Sequence, residues 1–222
     1  MDKFFDSNNP VMRFLSRLVD LAVLNIITLL YCLPIITAGG ALAAMNYVLL
    51  HFVREDETYV IQMFRRSFRE NFRQGILEGL LVLAIAGITA VDMWGLHRIE
   101  SRMTTLVMII ITIIAMFMFV TCIYMFALQS RYENKVSTTA LNALKLMLTN
   151  LPKTIAMIVI WLIWTVILVY LYKAAPLAFL LFGLTLPGYL CTMLYSKIFE
   201  KLESEENESK EGEDQEDGEE IT

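Results

Sequence analysis

The chain has 222 residues, 57% hydrophobic and 18% charged, with a mean hydropathy of +0.57. A soluble domain carries about 25% charged residues; here the charge sits outside a few long apolar runs, which excludes an ordinary soluble enzyme and marks a membrane protein. The net charge of −5 joins two unlike parts: positions 203–222 hold 11 acidic residues and one lysine, and the remainder is mildly basic at +5.

The predicted elements begin at Asn8-Asn9-Pro10. Asparagine caps free amides at a helix start, and proline fits the first turn. Residues 18–37 are apolar and end in the small residues Ala38-Gly39-Gly40, which resemble a signal cleavage site. The run is long for a signal core and holds Asp20 and Asn25, so it reads as a retained span. Leu33-Pro34 and Gly39-Gly40 then interrupt the pattern. Proline removes a backbone donor and paired glycines loosen the chain. Two layouts follow. In one, residues 18–53 form a hairpin of two short spans; in the other, they form one span and an interfacial helix over 41–53.

Residues 54–74 carry the first dense charge. Read as one helix, Val60, Phe64, Phe68 and Phe72 share an apolar face. Arg65, Arg69 and Arg73 share a neighbouring face, and Arg66 and Glu70 are an i,i+4 pair. Such a helix suits a membrane surface or a partner in the cytosol. Candidate docking residues are Phe64, Arg65, Arg66, Phe68, Arg69, Asn71, Phe72 and Arg73. Four further spans follow at 75–94, 104–128, 154–172 and 176–195, each about the twenty residues that cross a bilayer. Between them, residues 134–150 form a gentler linker helix with Val136, Ala140, Leu144, Met147 and Leu148 on its apolar face and Lys135 and Lys145 as its charges.

The expectation is an all-α polytopic transmembrane bundle over residues 1–202, with two cytoplasmic amphipathic linker helices. An acidic, solvated cytoplasmic tail covers 203–222. Lys and Arg favour cytoplasmic segments. Six spans put fifteen basic residues inside against three outside, and five spans give twelve against six. Six is preferred, with both termini cytoplasmic. A weak repeat agrees: Tyr47 and Arg54-Glu55-Asp56 recur 77 residues on as Tyr124 and Arg131-Tyr132-Glu133, and Asn71 recurs 79 residues on as Asn150.

Polar groups inside spans cost on the order of 3 kcal/mol when charged and mark function or packing. Asp20, Asn25, Asn46, Glu78 and Asp92 are the candidates, and they would line the path if the chain were itself a transporter or channel. Pro34, Gly39, Gly75 and Gly79 are candidate packing residues, Gly75 and Gly79 as a GxxxG pair. Cys32, Cys122 and Cys191 fall in apolar runs without ligand spacing, and no metal or cofactor is expected. There is no HExxH, GxSxG, Walker loop or CxxC, so no enzyme is expected. The basic residues are juxtamembrane, so no nucleic-acid partner is expected either.

Several residues recur in a recognisable order: Asn9-Pro10 with Arg13-Phe14, Leu33-Pro34-Ile35 with Thr37 and Gly39, Tyr47, Val53-Arg54, Tyr59, Phe64, Ser67-Phe68 and Asn71-Phe72. On these the chain resembles the YesL-like family of bacterial integral membrane proteins, over about its first hundred residues. The resemblance implies a multi-pass protein of the bacterial cell membrane, without established catalytic residues, that accompanies carbohydrate uptake. It further implies an accessory subunit of an ATP-driven sugar importer, whose partners are the bilayer, the importer permease or a second copy of itself. A sensor or regulatory protein remains a further reading.

Overall fold

The computed structural model describes residues 10–54, 59–98, 101–131, 135–171, 173 and 175–201. Asn8 and Asn9, Glu55 and Asp56, Tyr132 to Asn134, Tyr172 and the acidic tail lie outside the described residues. Every regular element among the described residues is helical: α1 (Pro10–Cys32), a 3-10 turn (Ile35–Thr37), α2 (Ala38–Val53), α3 (Val60–Glu70), α4 (Phe72–His97), α5 (Arg102–Gln129), α6 (Val136–Thr149), α7 (Leu151–Tyr170), α8 (Ala175–Phe182) and α9 (Thr185–Lys201). Five helical stretches are long and apolar enough to cross a membrane, and six if α8 and α9 count as one bent span.

The chain turns after α1 because Pro34 adopts an extended conformation (φ −77°, ψ 111°) and lacks an amide to continue the helix. The Thr37 hydroxyl closes the turn, 2.6 Å from the Tyr31 carbonyl oxygen and 2.8 Å from that of Pro34. Gly39 and Gly40 are not part of this turn. Both are buried in the first turn of α2, where their missing side chains let another helix approach.

Two apolar cores result, and α2 belongs to both. One gathers Leu21, Leu24, Met45, Val48, Leu49, Phe52, Val60 and Phe64 from α1, α2 and α3. The other gathers Ala43 and Leu50 of α2 with Val120, Tyr124, Ala143, Met147, Met157, Cys191, Tyr195 and Phe199. A helix serving two cores needs apolar residues nearly all round, and α2 is the most buried of the candidate spans. The outward faces of α4, α5 and α7 are by contrast apolar and exposed, as lipid-facing surfaces are.

The helices are not six upright rods. Gly188, Thr192 and Tyr195 are successive turns of α9, yet Gly188 lies against Leu49 and Met45 while Tyr195 bonds Asn46. One short stretch of α2 thus meets two turns of α9, so the two helices cross. Gly39 and Gly40 also touch Gly75 and Gly79, which joins the start of α2 to the start of α4. A straight hairpin with both strokes spanning would separate those starts by the hydrocarbon thickness of about 30 Å. The α1–α2 pair is therefore not a straight spanning hairpin beside α4.

The last apolar stretch is broken, which the hydropathy of 176–195 does not reveal. Helices α8 and α9 meet at 44° across Gly183 and Leu184. The order of α2, α3 and α4 recurs in α5, α6 and α7: a long helix, a short one, then a long one. Each short helix ends at an asparagine whose side-chain amide donates back four residues, Asn71 to Ser67 O (3.0 Å) and Asn150 to Leu146 O (3.2 Å). Side chains of this kind compete for helix carbonyls and favour breaks.

Candidate functional site

Residues 54–74 are not one helix. Asn71 (φ −94°, ψ 3°) separates α3 from α4, so Phe72 and Arg73 belong to the following long helix. Helix α3 turns its aromatic face inward. Phe64 is fully buried, Val60 and Ser67 are buried, and Phe68 is half-buried. Tyr31 at the end of α1 meets Phe64 and Phe68 edge-on at 5.3 and 4.7 Å, and Phe68 meets Phe72 at 5.4 Å. Such pairs contribute about 0.5–1.5 kcal/mol each beyond their buried area. Four of the eight docking candidates, Phe64, Phe68, Asn71 and Phe72, thus hold α3 to its own bundle or form its joint.

Arg65, Arg66 and Arg69 face outward. Arg66 Nε donates to Glu70 Oε1 at 2.9 Å, with both side chains more than half exposed. A pair so open to solvent contributes little to stability. Its hydrogen bond with Glu70 pushes the Arg66 guanidinium further up from its ordinary value.

Helix α6 is rotated from its sequence reading. It buries Thr139, Ala143, Leu146 and Met147, while Leu144 and Leu148 are exposed with Leu141 and Lys145. The deciding term is packing against α5, which the apolar pattern alone cannot register. The two related arginines of the sequence repeat come together: Arg54 and Arg131 line one cavity of about 210 Å³ with Tyr47, His51 and Ser130. Arg131 also lies over the Phe199 ring near the end of α9 (5.5 Å), and Arg17 over Phe52 (4.7 Å).

The polar candidates occupy separate places among the described residues. Asn25, fully buried, closes the break between α8 and α9. Its Nδ2 donates to Phe179 O (2.9 Å) and Leu180 O (2.8 Å), and its Oδ1 accepts from Leu184 N (2.9 Å) and Thr185 N (3.2 Å). The Thr185 hydroxyl donates to Leu21 O (3.0 Å) and Trp164 Nε1 to Gly183 O (3.1 Å). Asn46 bridges α2 to α9, donating to Leu42 O (2.9 Å) and accepting from the Tyr195 hydroxyl (2.9 Å). Asp20 is half-buried in a shallow cavity with Val23, Tyr59 and Gln62. Asp92 is exposed, and Arg98 stacks over nearby Trp94 (3.7 Å). Pro34 is exposed in its turn.

Glu78 is fully buried on α4. Gln74 Nε2 donates to its Oε1 at 3.0 Å and lies 3.5 Å from the Thr139 hydroxyl of α6. Its other oxygen, Oε2, has no partner. Nothing in the sequence distinguishes this carboxylate from one that reaches Arg73 at the helix end. The described residues hold no cluster of His, Cys, Asp and Glu that would bind a metal ion.

Fold and polar groups together define a polytopic, all-helical membrane-type bundle with a short arginine-faced helix. Residues 21–93 match the family model described as "Protein of unknown function, DUF624". That stretch runs from the middle of α1 through α2 and α3 into α4, and it contains Asn25, the four contacting glycines and Glu78. No curated protein and no solved structure matches the chain.

Proposed function

We propose that this is a non-enzymatic integral protein of the bacterial cell membrane, of the YesL-like type, that serves as an accessory subunit of an ATP-driven carbohydrate importer. The observation carrying this reading is the division of labour on α3. Its aromatic face is spent on α1 and α2, and its guanidinium face, Arg65, Arg66 and Arg69, is left outward on a braced helix. A rigid, pre-positioned charged face loses little entropy on docking. It complements an acidic patch on a partner and speeds encounter. By the positive-inside rule, the end bearing Arg17, Arg54, Arg131 and the last turn of α9 faces the cytoplasm, with the N-terminus and acidic tail. The importer itself is supplied by the family resemblance.

The test is cross-linking in native membranes, then mild-detergent purification and mass spectrometry. Importer permease subunits are expected in near-stoichiometric amounts. Reversing Arg65, Arg66 and Arg69 to glutamate removes three charged contacts and sets like charges against an acidic patch, so capture is expected to fall about tenfold while membrane insertion is unchanged. Undiminished capture by the inserted triple variant refutes docking through α3. Recovery of the wild-type chain alone refutes the accessory-subunit reading.

A further inference from the structure

We propose that Glu78 is a proton-binding site inside the bundle, and that its proton keeps α4 seated against α6. The inference is independent of any docking partner. It starts from an imbalance: a fully buried carboxyl group with one hydrogen-bond donor for its two oxygens.

Among the described residues no counter-charge adjoins it. On its own helix the neighbour is the Gln74 amide. Helix α6 contributes the Thr139 hydroxyl, itself buried, through that amide. Helix α5 contributes Cys122, within electrostatic range of the carboxyl. On α2 the adjoining surface is the Gly39–Gly40 backbone packed on Gly75 and Gly79. An ionised, unpaired carboxylate removed from water is among the most unfavourable groups a bundle can hold. A neutral carboxyl in the same place leaves only an ordinary polar shortfall.

The proton is thus a condition of the closed packing. If Glu78 loses it, water or a cation must reach Oε2. The glycine contact on the α2 side has no room for either without parting two backbones. Among the described residues the hydrogen bond from α4 to α6 is the long one from Gln74 to Thr139 at 3.5 Å, while α6 stays packed on α5, so the α4–α6 edge is where the packing yields. Ionisation of Glu78 is therefore linked to parting of α6 from α4, and the protonated form to their contact.

The test uses the full chain in phospholipid nanodiscs. Difference infrared spectroscopy of wild type against Glu78→Gln, near neutral pH, is expected to show a protonated-carboxyl stretch that the variant lacks. Hydrogen exchange across α6 is expected to rise as pH increases in wild type and to stay flat in Glu78→Gln. Absence of the Glu78-dependent band overturns the proton site. The same rise of α6 exchange in both proteins overturns the link to α6. If Glu78→Gln fails to insert, Glu78→Leu, an apolar residue of similar volume, replaces it, and the same two readouts and overturning outcomes apply.

Discussion

Replacing Asn25 with leucine is expected to lower the thermal midpoint of the purified protein by about 10 °C, the largest effect of any single polar substitution within the bundle. The reason is what one side chain does for a broken helix. In a continuous helix the amides of Leu184 and Thr185 would bond carbonyls one turn back. At the α8–α9 break they turn instead to Asn25 Oδ1, while Asn25 Nδ2 returns donors to the Phe179 and Leu180 carbonyls. The Phe179 carbonyl also accepts from Gly183 N (2.8 Å), so three backbone groups depend on Asn25. Where lipid replaces water, such groups have no alternative partner. At roughly 1–3 kcal/mol each, their loss comes to about 4 kcal/mol, or about 10 °C for a chain of this size. Leucine keeps the branched shape of asparagine and is the larger residue, so a cavity does not explain the result, and the same enlargement is present in the control. Asn46→Leu is the control. It removes a bond to its own helix and one to Tyr195, whose hydroxyl keeps Thr192 at 2.9 Å, and should cost about 1 kcal/mol. Equal losses for the two variants, followed by tryptophan fluorescence in detergent, would rule out the clamp.

The same residue shows what a sequence conveys and what it withholds. Asn25 stands out in an apolar run, and its type signals bridging between helices. Its partners lie more than 150 positions away, and the break they serve is marked locally by Gly183 and by Pro187 in the first turn of α9, signals that do not name Asn25. Hydropathy registers length and apolarity, so it locates the candidate spans; it carries no term for helix–helix contact, and the meeting of the α2 and α4 starts is invisible to it. On α3 the period of Val60, Phe64 and Phe68 gives the buried face, because burial and periodicity agree. On α6 the same reasoning favours Leu144 and Leu148 over Thr139 and Ala143, and small residues packed on α5 take the inner face instead. Glu78 shares this blindness. Its isolation follows from three helices meeting around it, and no local pattern reports that.

The glycines of α2 and α4 carry the second large effect, and the series has opposing signs. A Cβ at Gly39 would fall onto the Gly75 carbonyl oxygen, with Gly79 Cα and N at 2.8 Å; one at Gly75 would lie 2.5 Å from both Gly40 Cα and N. These obstacles are backbone, which no rotamer change relieves, so Gly39→Ala and Gly75→Ala must push two helices apart. Overpacking typically costs about 1–3 kcal/mol, and both variants belong at or above the upper end, a loss of roughly 10 °C. Gly79→Ala would meet Gly39 at 3.1–3.2 Å, a strain small readjustments can absorb, and should cost far less. Gly87 and Gly95 lie on the same α4 helix with nothing within 4 Å of an added Cβ. Alanine there removes glycine's backbone freedom at no steric cost, and a gain of up to about 1 kcal/mol is expected. A general dislike of alanine in α4 would lower the four α4 midpoints together, and a crossing with no energetic weight would leave Gly39→Ala at wild type; either result refutes the close contact. The predicted split within one helix assigns the effect to the crossing itself. Because that crossing also seals one side of Glu78, Gly75→Ala should admit water to the carboxyl and weaken its protonated-carboxyl band near neutral pH, whereas Gly87→Ala should leave the band unchanged.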